Sequence, residues 1–338
     1  MVQTLAAVSQ GIPAVLAPVL APQFGLRAQQ IGTFTGLLYV FAMLSGLLCS
    51  RYVGRFGAVR FSQIALVSAA MGLGLIAAGN AMALLLCAAL IGAGYGLANP
   101  TSALLLGLHA PEKKRGLYFS LKQTGVPIGV AIAGFVAPFL YLRFGWQQAL
   151  LLPAIAFVLC AAIIQPTVGL FDTRQANAAR SSNGSLGIAA MFAPLGVVLA
   201  DTRLRRLGFV SLIYAATQVC LIAFLVAYLT LEHHLSLATG AAILGIAQLT
   251  SIVGRPLWGW LADYWGEPAK LLGLLRVAMG AACLLLALMP TGVSEFHATI
   301  IAMVCAATAI AWNGVFYAEL VRNVSGDELA TVTGGTQF

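Results

Sequence analysis

Thirteen residues, Gly254-Arg255-Pro256-Leu257-Trp258-Gly259-Trp260-Leu261-Ala262-Asp263-Tyr264-Trp265-Gly266, set an arginine inside an apolar run just before a polar turn. A charge near mid-bilayer costs between ~3 and ~15 kcal/mol, so an intramembrane Arg faces a partner or a water-filled cavity and marks a functional site by default. Counting back from Asp263 at the helical rise places Arg255 about 12 Å inside the boundary, which is cavity depth rather than snorkelling depth. Guanidinium suits a small anion, because its planar fork donates two parallel hydrogen bonds to a carboxylate or nitrate and stays charged when buried. The competing reading is a structural Arg paired with Glu319 or with a backbone carbonyl.

Lys122, within Ser120-Leu121-Lys122-Gln123-Thr124-Gly125, lies about 9 Å deep by the same rise. The two cations share a level and could converge on one substrate; alternatively, the Lys122 stem carries its ammonium out to the headgroups. Other polar residues inside apolar runs are Asn99, Gln123, Gln218, Gln248, Trp312 and Asn313, which either line a cavity or hydrogen-bond between helices. Asn99 and Asn313 rank first because they stand 214 residues apart in what looks like a repeat; Gln218 ranks next. The acids lie in connections, except Glu319, which is placed to pair with Arg322 or Arg255. This excess of cations points to an anionic small-molecule partner and leaves the coupling ion, a proton or another, undetermined. No Ser/His/Asp or Cys/His constellation occurs at membrane depth, which argues against an enzyme. The six cysteines sit singly in apolar runs, so neither a disulfide framework nor a metal site is expected, and no cofactor is implied.

The elements that must position these residues follow from composition. Of 338 residues 60% are hydrophobic and 8% charged, with a mean hydropathy of +0.94, which indicates an integral membrane protein. Apolar runs of roughly 20 residues match the length of a helix crossing ~30 Å of hydrocarbon, not the alternation of a β-barrel. The net charge of +8 lies in short connections rather than on an extended basic face, so it orients the chain in the bilayer and does not suggest nucleic acid.

The fold class is therefore an all-α membrane bundle. Ten complete spans are expected at Val2–Leu20, Ile31–Ser50, Phe61–Ala78, Met82–Leu108, Gly116–Leu142, Gln148–Ile164, Arg206–Leu229, Leu237–Asp263, Lys270–Met289 and Ala298–Val321, with an eleventh just begun at Phe338. Basic residues follow the second span at Arg51, Arg55 and Arg60 and the fourth at Lys113, Lys114 and Arg115, which puts the N-terminus on the cytoplasmic side of the cell (inner) membrane. Gln165 to about Arg205, with its Ser181–Ser185 polar stretch, reads as a cytoplasmic linker, and Leu186–Ala200 as a helix lying on the membrane. The organisation is then an N-terminal six-span half (1–165), a linker (166–205) and an incomplete C-terminal half (206–338). Gly46-x-x-x-Ser50 and Gly259-x-x-x-Asp263 lie 213 residues apart, and by that offset a full second half would bring the chain to roughly 380–400 residues and twelve spans. The chain reads as C-terminally truncated.

Two six-span halves, a central linker and Gly-x-x-x-Asp-x-x-Gly after the eighth span resemble the major facilitator superfamily (MFS). The resemblance covers essentially the whole chain and implies a two-half helical bundle working by alternating access. It also implies a conformational latch, in which an acid meets the positive end of a neighbouring helix: Gly259, Asp263 and Gly266 match the second-half motif, and Gly46 and Arg51 match the first, where Ser50 replaces the usual Asp. Asp263 would face the start of the fifth span near Arg115 and Gly116. Arg255-Pro256-Leu257-x-Gly259-x-x-x-Asp263 is similar to the segment by which monocarboxylate and nitrate members offer an arginine to an anion. Drug–proton antiporters usually carry an Arg early in span four and a Gly-Pro step in span five; this chain has neither, and Gly125, Gly129, Gly134 and Pro138 reproduce only part of the glycine spacing, better explained by close helix approach. The expected activity is secondary transport of a small organic anion, and multidrug efflux is the alternative.

Overall fold

Hydrocarbon offers backbone polar groups no water, so each apolar run closes its hydrogen bonds within itself as a helix. The computed structural model describes residues 1–79, 83–109, 118, 121–172 and 195–323. Its main helices are α1 (Val2–Val15), α2 (Ala17–Gln23), α3 (Ile31–Phe56), α4 (Ala58–Ala77), α5 (Leu84–His109), α6 (Gly125–Phe144), α7 (Trp146–Ile163), α8 (Thr202–Leu231), α9 (Leu237–Trp265), α10 (Pro268–Ala287), α11 (Glu295–Ala309) and α12 (Asn313–Asn323). Among the described residues nine segments are long and apolar enough to cross a membrane, and ten if α1 and α2, bent by 65°, form one broken span. The expected first span is that bent pair, and the expected tenth is the pair α11 and α12, interrupted at 310–312. The expected start of an eleventh lies outside the described residues, as do Lys113, Lys114, Arg115, Gly116 and Ser181–Ser185. Of the expected membrane-surface helix, 195–200 is helical and the remainder lies outside the description.

The described residues fall into two compact units, Met1–Gly184 with Ile222–Gly245, and Ser185–Leu221 with Ile246–Phe338. In the first, α5 packs against α3 and α4, α4 against α7, and α1 against α6. Small residues set these distances. A Cβ on Gly129 would lie 2.6 Å from Ala7 Cβ, and one on Gly134 2.8 Å from the Ala241 carbonyl, so the glycines of α6 serve close backbone approach, as their spacing leads one to expect. Gly46 does the same in α3, facing the Gly96 carbonyl of α5 at 3.3 Å. Ser45 reinforces that seam by donating to the carbonyls of Ala42 and Ala93, each at 3.1 Å.

In the second unit α10 packs against α11 and α12. Here α9 comes close to α12 through small residues: a Cβ on Gly314 would lie 2.7 Å from the Arg255 carbonyl, and one on Gly254 2.9 Å from Ala311 Cβ.

Candidate functional site

In the first unit, Leu121–Gln123 form a helical turn that a break at Thr124 separates from α6. Lys122, half-buried there, donates from Nζ to Asn99 Oδ1 at 2.5 Å and to the Asn99 carbonyl at 3.2 Å. The ammonium thus reaches a neighbouring span, where the Asn99 amide oxygen and carbonyl both accept from it. Its neighbour Gln123 accepts from Gln3 Nε2 of α1 at 3.5 Å. One turn from Asn99 on α5, Tyr95 meets Tyr39 of α3 edge to face with ring centroids 5.8 Å apart, and Gln10 of α1 adjoins Tyr39. The side chains of Lys122, Gln123 and Asn99 therefore belong to one polar strip of α1, α3, α5 and the start of the fifth span.

The second unit builds around the break at 310–312. That break frees the Ile310 carbonyl, which accepts from Arg255 Nη2 at 3.4 Å and from Asn313 Nδ2 at 3.3 Å. Arg255 is only 8% exposed. Of the structural partners open to it in the sequence, the carbonyl is the one found here. Glu319 instead accepts from Asn323 Nδ2 at 2.8 Å, and Arg322 donates to the Gly266 carbonyl, so neither expected Glu319 pair forms. Gln218 accepts from Trp312 Nε1 at 3.2 Å; Trp312 stacks on Tyr214 at 5.1 Å, and the Tyr214 hydroxyl donates to the Leu272 carbonyl at 2.8 Å. Trp258 Nε1 holds the Ala307 carbonyl at 2.8 Å, just before the break. Gln248 and Ser251, fully buried, continue the Arg255 face of α9. Arg255, Asn313 and Gln218 thus gather in one unit, and Lys122, Asn99 and Gln123 in the other.

Of the residues assigned to a latch, Gly46 and Gly259 face neighbouring backbone, a Cβ on the latter falling 4.0 Å from Gly314 Cα, while Gly266 takes a φ of +67° just past α9, the left-handed turn that glycine allows. Asp263 is exposed, with no ion-pair partner among the described residues. Its expected partners Arg115 and Gly116, like the side chain of Arg51, lie outside the description.

An acid does meet a helix N-terminus in the first unit, and it is Asp172. The residue is 7% exposed, and its carboxylate accepts the backbone N–H groups of Val59 at 2.9 Å and Arg60 at 3.1 Å at the start of α4. Nothing in the spacing of the chain joins residues more than a hundred apart, and the only trace is the glycine before α4. Gln3, Gln10, Tyr39 and Tyr95 were likewise missed, being lone polar residues in apolar runs. Among the described residues no group of His, Cys, Asp and Glu is arranged to hold a metal ion.

Several known proteins resemble this one. It is 26% identical over 196 residues to an uncharacterized MFS-type transporter of Mycobacterium tuberculosis, covering 58% of this chain and 42% of that protein. A gallate transporter of Pseudomonas putida is 26% identical over 318 residues, 82% of this chain and 69% of that one. A 4-hydroxybenzoate transporter of Pseudomonas aeruginosa is 30% identical over 159 residues, 44% and 34% respectively. The chain thus spans less than half the length of the mycobacterial relative it matches. Among solved structures, a bacterial homolog of the human lysosomal transporter Spinster, inward-facing and unoccupied, superposes with a TM-score of 0.77 at 17% identity over 99% of this chain and 76% of that one. The nucleoside transporter NupG gives 0.74 at 15% identity, over 99% and 86%. These two likenesses concern fold alone. The family model described as Major Facilitator Superfamily matches residues 1–338, and the chain belongs to that family.

Proposed function

We infer that this protein moves a small organic anion, an aromatic carboxylate in particular, across the cytoplasmic membrane by alternating access of its two halves, 1–165 and 206–338 joined by 166–205, with the N-terminus in the cytoplasm. The observation that carries this reading is the Lys122 ammonium held on Asn99 of a neighbouring span, a cation placed within an apolar stretch of the chain. Arg255 on the Ile310 carbonyl supports it from the second unit. The resemblance to gallate and 4-hydroxybenzoate transporters supports the choice of aromatic carboxylate. Asn99, Gln123, Gln218 and Asn313 orient the cargo or the cations. Gly46, Arg51, Gly259, Asp263 and Gly266 serve the conformational cycle, Asp263 as the charged member.

Uptake of labelled aromatic carboxylates, with dye efflux measured in parallel, tests the reading. Lys122→Ala and Arg255→Ala abolish uptake and leave the fold intact by thermal denaturation. Unchanged uptake in both variants sinks the anion reading, and dye efflux that depends on the same residues favours a multidrug exporter.

A further inference from the structure

We propose that Gln10 and Gln3 of α1, with Tyr39 and Tyr95 beside them, form a subsite that reads hydroxyl groups on the ring of an aromatic carboxylate whose acid group lies at Lys122. This rests on the anion reading above and adds the residues that choose among such anions. Gln3 and Gln10 stand seven residues apart, so they share one face of α1, and each is only 8% exposed. Each amide leaves one buried atom without a partner. Gln3 Nε2 reaches Gln123 at 3.5 Å while its Oε1 is buried with no hydrogen-bond partner. Gln10 turns its amide toward the Tyr39 hydroxyl, yet its buried Nε2 finds no acceptor in full hydrogen-bond geometry. A buried polar atom left so is destabilising, and an apolar side chain at either place would avoid that cost. A ligand that supplies the missing partners removes it.

The chemistry of those partners is specific. Gln10 Nε2 needs an acceptor and Gln3 Oε1 needs a donor; a carboxylate only accepts, whereas a hydroxyl does both. The neighbouring rings of Tyr39 and Tyr95 offer faces and edges to a flat aromatic ligand. Distance agrees. Tyr95 lies one turn, ~6 Å, along α5 from the Asn99 that binds Lys122, which is of the order of the separation between para substituents on a benzene ring. With its carboxylate at Lys122, the ring lies beside the tyrosines and a para hydroxyl falls toward Gln10. Gln3, beside Gln123, serves a hydroxyl nearer the acid end.

The test is equilibrium binding of labelled benzoate and 4-hydroxybenzoate to the 338-residue chain in lipid nanodiscs. The unaltered protein binds 4-hydroxybenzoate roughly tenfold more tightly, the worth of one buried hydrogen bond. Gln10→Leu erases that preference while benzoate binding stays within about twofold, which also reports an intact fold; Gln10→Met serves as a second variant of different shape. A preference that survives both substitutions overturns the subsite, as does an equal loss for both ligands. If the unaltered protein binds both acids equally and Lys122→Ala abolishes binding, the subsite falls and the anion reading stands. If it binds neither, both fall.

Discussion

A methyl group on Gly57 would lie 2.5 Å from the Cβ of Asp172 and closer still to its carboxyl group, so these two residues are neighbours only because one lacks a side chain. Gly57 also holds a φ of +99°, which side-chain-bearing residues avoid, and it stands just before α4, whose first N–H groups Asp172 accepts. One glycine thus turns the chain and admits a carboxylate to cap a helix that begins 114 residues earlier. The segment that follows α7 is tied in this way to the start of α4.

Asp172→Ala strands the N–H groups of Val59 and Arg60, the first of them buried, and Gly57→Ala adds a clash at a strained φ. Each lowers stability by about 1–3 kcal/mol. Thermal denaturation of the purified protein in detergent shows both single losses, and the double variant loses less than their sum because the two act on one contact. Strict additivity would contradict the shared contact.

Close approach and open space predict opposite outcomes for two glycines. Gly129→Leu forces α1 away from α6, where Ala7 Cβ and Val8 N lie 2.6 and 3.0 Å from the modest Cβ alone, and overpacking of this kind costs about 1–3 kcal/mol or more. Gly36→Ala meets nothing within 4 Å and leaves stability unchanged. The yield of monodisperse protein after size-exclusion chromatography separates them.

Gln218→Leu removes the acceptor of the Trp312 indole N–H, a ring only 5% exposed, and costs about 1–3 kcal/mol. The stack on Tyr214 keeps the ring in place, so tryptophan emission changes little while the melting temperature falls. A variant as stable as the parent shows that the indole finds another acceptor.

Asp201 supplies the pH dependence. The Leu204 and Arg203 backbone N–H groups at the start of α8, at 3.1 and 2.7 Å, hold its carboxyl below the usual carboxylate range. A carboxyl depressed in the folded state contributes stability above its unfolded value of about 4, and that contribution disappears as the pH falls through the lower folded value. The parent therefore loses melting temperature over this acid range by more than Asp201→Asn does. Matching acid profiles for the two proteins refute the capping role.

Much of the molecule was legible in the chain. Unbroken apolar length fixes where α3, α4, α7, α8, α9 and α10 run, since hydrocarbon tolerates little else, and Gly125, Gly129 and Gly134 already marked the close helix seam. The bend between α1 and α2 and the break at 310–312 were not legible, because an apolar run keeps its hydropathy whether the helix is straight or broken. Lys122, Asn99, Arg255 and Gln218 stood out as polar residues in apolar surroundings, yet their spacing left several partners open.

Residue types alone determined a helical membrane protein whose apolar runs carry a few cations and fewer acids, because burying charge in hydrocarbon is costly enough to show in composition. Tertiary structure decided that Lys122 ends on Asn99, that Arg255 ends on a carbonyl freed by a broken helix, that Arg322 goes to Gly266 rather than Glu319, and that Asp172 caps α4. Each of those pairings depends on how helices distant in sequence rotate and cross, and packing of small residues sets that rotation where no local spacing can.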